Sequence, residues 1–349
     1  MVLNSYQYFY YERTFIFMEN NTTIETKKYF SRMGMTLFLG SLLIYAVQII
    51  FLTIAQNIPV IAKDVNLSFL MGMLPMYIIA FPLIFLMFKR IPAQPKGEKQ
   101  KMNVWQILAA FCVGYAILNL FNILGSILVS IVCILKKGGV NNVVTDITTS
   151  VHPLISFLIV AICGPIMEEL LFRKTILDRT RQYGDGLSLL FSGLVFGLFH
   201  GNLAQFVYTF FLGIFLGYIY IKTENIVYTI ILHIMINFPA AVLWPFVLKK
   251  SGLLEMVSNL GKNASSAALT NALMDNPSGL LLYTGYMCFV WGIVILGVIL
   301  FFVNKKKLSL DAGKVTIEKG ARFQTILLNV GMILYCILWI LMIIRQLIQ

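Results

Sequence analysis

Charge is what this chain has least of. Of its 349 residues only 12% are Asp, Glu, Lys or Arg, against 59% that are hydrophobic. A soluble domain carries about 25% charged residues because its whole surface must meet water, so a soluble globular protein is excluded. A mean hydropathy of +0.83 excludes a disordered chain for the opposite reason. The five cysteines (Cys112, Cys133, Cys163, Cys288 and Cys336) all fall inside apolar runs at no metal-like spacing. An odd, scattered set of this kind argues for packing residues and against a disulfide framework. A cleavable signal peptide is not visible either: the first eighteen residues are mixed and aromatic, with no basic start and no small-residue exit. Internal repeats and low-complexity tracts are absent. What remains is an all-α, polytopic membrane helix bundle.

A crossing helix needs about 20 mostly apolar residues. Such runs lie near 35–55, 68–88, 103–135, 152–172, 187–200, 202–221, 226–248, 279–303 and 323–344, which predicts eight or nine transmembrane helices. The fifth would be only about 20 Å long. A span that short is expected to end inside the membrane, where irregular backbone is tolerated if it is buried or lines a wet cavity. Residues 1–32 read as a cytoplasmic or interfacial segment, with Tyr6, Tyr8, Phe9, Tyr10 and Tyr11 at headgroup depth, or as sequence upstream of a start at Met18. Residues 33–349 form the bundle, and the polar stretch 249–278 is expected to be a flexible outer loop.

The net charge of +12, from 27 basic and 15 acidic residues, is explained by topology. With the N-terminus inside, 20 of the 27 basic residues fall in cytoplasmic segments, which favours N-in and C-out. No nucleic-acid partner is needed to account for the charge; the lipid bilayer is the environment.

Which ionisable groups enter the apolar runs is then the informative question. The only carboxylates there are Glu168 and Glu169, and two of the three histidines, His200 and His233, lie in or at the ends of runs. A charge at the bilayer centre costs about 2.5–3.5 kcal/mol on insertion scales, so such residues by default mark a cavity and a functional site. Glu169 and Arg173 are four apart with the acid first, the better order for a helical ion pair. That reads most simply as an interfacial salt bridge ending the helix. Glu168 is turned by about 100°, is left without a partner, and is free to face the bundle and transfer a proton. His233 and Asn237 share one helix face, as do Phe196 and His200, so that the Phe ring can brace the imidazole. From the span boundaries Glu168, His233 and His200 would sit about 7, 12 and 20 Å deep, within reach of a cavity open to the cytoplasm. Gly193 with Gly197, and Gly213 with Gly217, are small-xxx-small pairs that permit close helix packing.

Glu-Glu-x-x-x-Arg at 168–173, Phe-x-x-x-His at 196–200 and His-x-x-x-Asn at 233–237, in this order on consecutive apolar helices, resemble the CAAX-protease and bacteriocin-processing (CPBP, or Abi) family of intramembrane endopeptidases. The resemblance covers about 150–245, which would be the catalytic core. It implies a glutamate-type hydrolysis of a peptide bond in a membrane-associated peptide or protein. Glu168 would be the general base that activates water, and His200 would hold that water. His233 and Asn237 would stabilise the oxyanion, with Glu169, Arg173 and Phe196 in support. No cofactor is expected. Zinc is the weaker alternative, since there is no His-Glu-x-x-His helix and an Asn amide is a poor zinc ligand. The resemblance also implies a multi-pass protein of a bacterial plasma membrane. Lys174 departs from the family's usual small residue but falls outside the expected cavity. A second reading is a non-catalytic immunity protein that binds a membrane-active peptide. A proton-coupled transporter would require inverted repeats with broken helices in both halves, and neither is visible.

Overall fold

A computed structural model describes residues 5–94, 97–139, 149–253, 274 and 276–348, with side chains from residue 23 onward. Nine principal helices follow one another: α1 (Ser5–Asn57), α2 (Val65–Phe88), α3 (Val104–Lys136), α4 (Pro153–Tyr183), α5 (Asp185–Phe199), α6 (Leu203–Thr223), α7 (Ile226–Lys250), α8 (Pro277–Lys307) and α9 (Val330–Ile348). Among the described residues there is no strand. Eight of the nine are long and apolar enough to cross a membrane, and α5, with 15 residues, is the short one. The chain is therefore an all-α polytopic membrane bundle.

Three boundaries differ from the hydropathy reading. Helix α1 runs without a break from Ser5 to Asn57, and Phe30 and Met33 are buried in the main core, so residues just before 33 already pack against the bundle. Helix α4 does not stop near Arg173 but continues to Tyr183, because Ile176, Leu177 and Thr180 beyond it are fully buried. The last span begins at Val330, after a short helix at Arg322–Ile326. Asn329 separates the two, its side-chain oxygen accepting the Met332 N–H at 3.0 Å, which satisfies one of the open N–H groups at a helix start. Most of the predicted outer loop 249–278, and the side chains of the aromatic N-terminal stretch, lie outside the described residues.

Close approach of backbones holds the bundle together. Helix α6 packs against both α5 and α3, and α9 lies along α1. Where α5 meets α6, a methyl group built on Gly213 would stand 3.1 Å from the Gly193 Cα, so these two small residues do face each other. The contact is tighter between α1 and α9, where a methyl on Gly331 would overlap the Ser31 carbonyl and one on Gly34 the Met332 amide. With no hydrophobic driving force between helices in lipid, such packing carries much of the association. Gly331→Ala is expected to destabilise the protein by about 1–3 kcal/mol or more, as overpacking does, and to lower its melting temperature in detergent. Gly292→Ala, where nothing lies within 4 Å, should leave it unchanged.

Helix α4 is not uniform. Two wide-turn π segments, Phe157–Cys163 and Leu170–Leu177, flank an α-helical piece at Gly164–Glu169. Pro165 has no N–H to give the preceding turn, and the Gly164 N–H reaches back five residues to Ile159. Segments of this type recur at functional sites because the wider turn re-aims the side chains around it. Here they bracket both glutamates.

Candidate active site

Three helices bring the motif residues together halfway along α4. Glu169 is fully buried, as is Arg173, and the carboxylate Oε2 stands 3.1 Å from the guanidinium Nε. The four-residue ion pair expected from the sequence is present. It lies inside the helix, not at an interfacial end as the shorter span implied. Glu169 Oε1 also meets His233 Nδ1 at 2.8 Å. The other ring nitrogen of His233, Nε2, is 3.6 Å from Glu168 Oε2. One imidazole from α7 thus lies between the two adjacent carboxylates of α4.

The two acids differ in environment. Glu169 has no exposed surface, whereas the Glu168 side chain keeps 20% of its surface accessible. Glu168 also lies close enough to act electrostatically on His200, Tyr77 and Tyr208. His200 sits where α5 ends, with Nδ1 2.9 Å from the Phe196 carbonyl. A carbonyl only accepts, so Nδ1 carries the proton and, in the neutral ring, Nε2 is left as an acceptor. Gly201, with φ +59, takes the left-handed turn that side chains disfavour, letting the chain reverse at once into α6 and fixing His200 at the tip. Asn237, one turn beyond His233, donates from Nδ2 to the Val160 carbonyl of α4 at 3.5 Å.

Phe196 braces the cluster more broadly than its spacing from His200 indicates. Its ring packs edge-on to His200 at 4.9 Å and to His233 at 6.0 Å. It also carries the Arg173 guanidinium 4.6 Å from its centroid. A cation over an aromatic face is attracted by the ring quadrupole, which matters here because neither Arg173 Nη1 nor Nη2 has a hydrogen-bond partner among the described residues. Thr229, which neighbours Glu169 and whose hydroxyl donates to the Ile226 carbonyl at 3.0 Å, and the nearby Tyr77 and Tyr208 escaped the sequence reading. Thr229 precedes His233 by four residues on an apolar helix, a spacing that could have flagged it. The tyrosines carried no such signal, since Tyr is ordinary in membrane helices.

Lys174 is exposed while residues 171–173 are buried, so it does face away from the cluster. Among the described residues, no group of three or more His, Cys, Asp or Glu side chains is placed to hold a metal ion. Among the described residues, the opening expected toward the basic segments is not seen. On that side of the cluster Arg173, Ile176, Leu177, Ser192, Leu216 and Thr229 form packed interior.

Fold and site together define a membrane helix bundle with an acid–imidazole cluster held inside it. Residues 150–239 match the family described as type II CAAX prenyl endopeptidase, Rce1-like. A Bacillus subtilis (strain 168) protein named "Putative membrane peptidase YdiL" is 26% identical over 166 residues, which are 46% of this chain and 66% of that relative, just under two thirds of its length. No solved structure matches the chain.

Proposed function

We propose that this protein is an intramembrane endopeptidase that hydrolyses a peptide bond with a water activated by Glu168. The observation that carries the reading is the convergence of Glu168, His200 and His233, from three separate helices, around one partly accessible carboxylate. The hydrogen-bond directions support the division of labour. A water between Glu168 and the free Nε2 of His200 would give one hydrogen to each, leaving its lone pair for the substrate carbonyl. Glu168 takes one proton as the hydroxide adds to the carbonyl carbon, then returns it to the amide nitrogen as the C–N bond breaks. The products are a carboxylic acid and an amine, so atoms and charge balance.

The oxyanion that forms in between needs donors already in place, and His233 with Asn237 supply them. Because Nδ1 of His233 faces the Glu169 carboxylate, donation from Nε2 requires both ring nitrogens to be protonated. The charges then close, with two carboxylates balanced by one guanidinium and one imidazolium. Glu169, Arg173 and Phe196 are positioning residues that hold His233 and the helix in place. The proposed catalytic core is 150–245, and the substrate is a membrane-associated peptide or protein.

To test the reading, newly formed N-termini are mapped by mass spectrometry in membranes from cells expressing the native chain or His200→Ala. Termini present with the native protein and lost with the variant are expected. Identical sets at equal protein levels would overturn the peptidase reading and favour peptide binding without cleavage.

A further inference from the structure

Among the described residues the packing around the cluster is one-sided, and the side they leave open has a shape. Helix α5 stops at Phe199, and the chain turns back into α6 at Leu203. The outer helices continue past this turn. Gly125 of α3 packs on Ala204, and α3 runs on to Lys136, about 16 Å further. Trp339 of α9 packs on Gly201, and α9 runs on to Ile348, about 13 Å further.

Neighbouring walls are tied to one another beyond that level. The Lys136 ammonium donates to the Leu347 carbonyl at 2.6 Å, joining α3 to α9. The Ser156 hydroxyl donates to the Ala241 carbonyl at 3.0 Å, joining α4 to α7. The His152 N–H donates to the Asn66 side chain at 2.7 Å, joining the α4 start to α2. Two helices therefore end in the middle of a ring whose members do not, which leaves a cup. Its floor is polar. Next to His200 lie Asn202 and Gln205, half-buried, with Gln205 Nε2 3.2 Å from the Tyr208 hydroxyl. Asn202 Oδ1 accepts the Gln205 N–H at 3.1 Å, and the amide hydrogens and oxygens these two bonds leave over favour a place that water reaches.

The opposite end is sealed by backbone pairing. Asp185 N–H donates to the Asp311 carbonyl and Asp311 N–H to the Asp185 carboxylate, both at 3.0 Å. Val315 N–H donates to the Gln182 carbonyl at 2.9 Å and Gln100 N–H to the Thr223 carbonyl at 2.8 Å. Arg181 bridges Asp185 and Glu224. The described basic residues of the α2–α3 and α8–α9 connections, among them Lys99, Lys101 and Lys314, belong to these same paired segments.

We infer that the site is entered through this cup, from the membrane face opposite the basic segments, and that its substrate is a peptide segment presented at that face. By the distribution of basic residues that face is non-cytoplasmic, so the substrate class is an exported or outward-facing chain, not a cytosolic one. The word substrate rests on the peptidase reading; the water route does not.

The two are separated by thiol labelling. In a chain whose five cysteines are replaced by Ala, single variants Gln205→Cys and Asn202→Cys mark the floor, and Lys314→Cys marks the sealed end. A charged, membrane-impermeant methanethiosulfonate is applied to intact cells and to inverted vesicles. At least one floor cysteine is expected to react at least ten-fold faster from the face where Lys314→Cys does not react. Reaction from the same face as Lys314→Cys would overturn the inference, as would no reaction at either floor position after permeabilisation. Repeating the labelling in a Glu168→Gln background keeps the result independent of cleavage.

Discussion

Replacing Glu168 by Gln is expected to reduce peptide-bond cleavage by about 10²–10⁴-fold, the range a positioned general base contributes, while the protein stays folded. Gln keeps the length of the side chain and one acceptor oxygen but cannot take a proton from water. Glu168 makes no ion pair with Arg173 and retains 20% side-chain accessibility, and its buried neighbour His233, 3.6 Å away, keeps the Glu169 carboxylate at 2.8 Å when the charge of Glu168 is removed. The thermal midpoint should therefore move little while the rate falls. Measured on a substrate found by mapping N-termini, cleavage by Glu168→Gln at the native rate would remove Glu168 from the chemistry. If the protein protects cells from a membrane-active peptide, protection undiminished in Glu168→Ala would identify binding, not hydrolysis, as the protective activity.

The second large effect concerns stability. Arg173→Met leaves Glu169 fully buried, with the His233 imidazole still 2.8 Å away. Breaking a buried pair by removing one partner costs about 3–5 kcal/mol because the remaining charge is uncompensated. A clear drop in the detergent melting temperature of Arg173→Met is expected. The double variant Glu169→Gln with Arg173→Met should recover much of it, since replacing both charges is often close to neutral. Equal melting temperatures for the native protein and Arg173→Met would mean the pair does not hold the helix. The double variant should still cleave slowly, because His233 then loses the carboxylate that orients its ring.

Much of the architecture was readable without coordinates, for a specific reason. In lipid every backbone polar group must bond within its own helix, so hydropathy alone marks the helices, including the short α5. Charge scarcity also isolates the functional residues, since an acid inside an apolar run stands out where few others occur. The motif pairs Glu169–Arg173 and Phe196–His200 were legible because helical spacing places them on one face. Less legible was where a span ends. Hydropathy falls at the charges of 173–181, yet α4 continues because all of them but the exposed Lys174 are buried or bonded: Arg179 donates to the Phe88, Ile91 and Thr175 carbonyls. A polar residue that is satisfied by neighbouring helices looks, in sequence, like the edge of the membrane.

The amino-acid order by itself determined that this is a membrane bundle of about nine helices, and which handful of polar side chains within it are costly enough to require a purpose. Both follow from local rules: the bilayer's intolerance of bare backbone and charge, and the 3.6-residue period. Only the tertiary structure decided that His233 stands between the two glutamates, that Phe196 supports Arg173 as well as both imidazoles, and that the cluster is packed shut on the side of the basic segments. Those are contacts between helices far apart in sequence, set by how glycine-lined backbones approach one another and by which helices stop short, and no periodicity within a single helix encodes them.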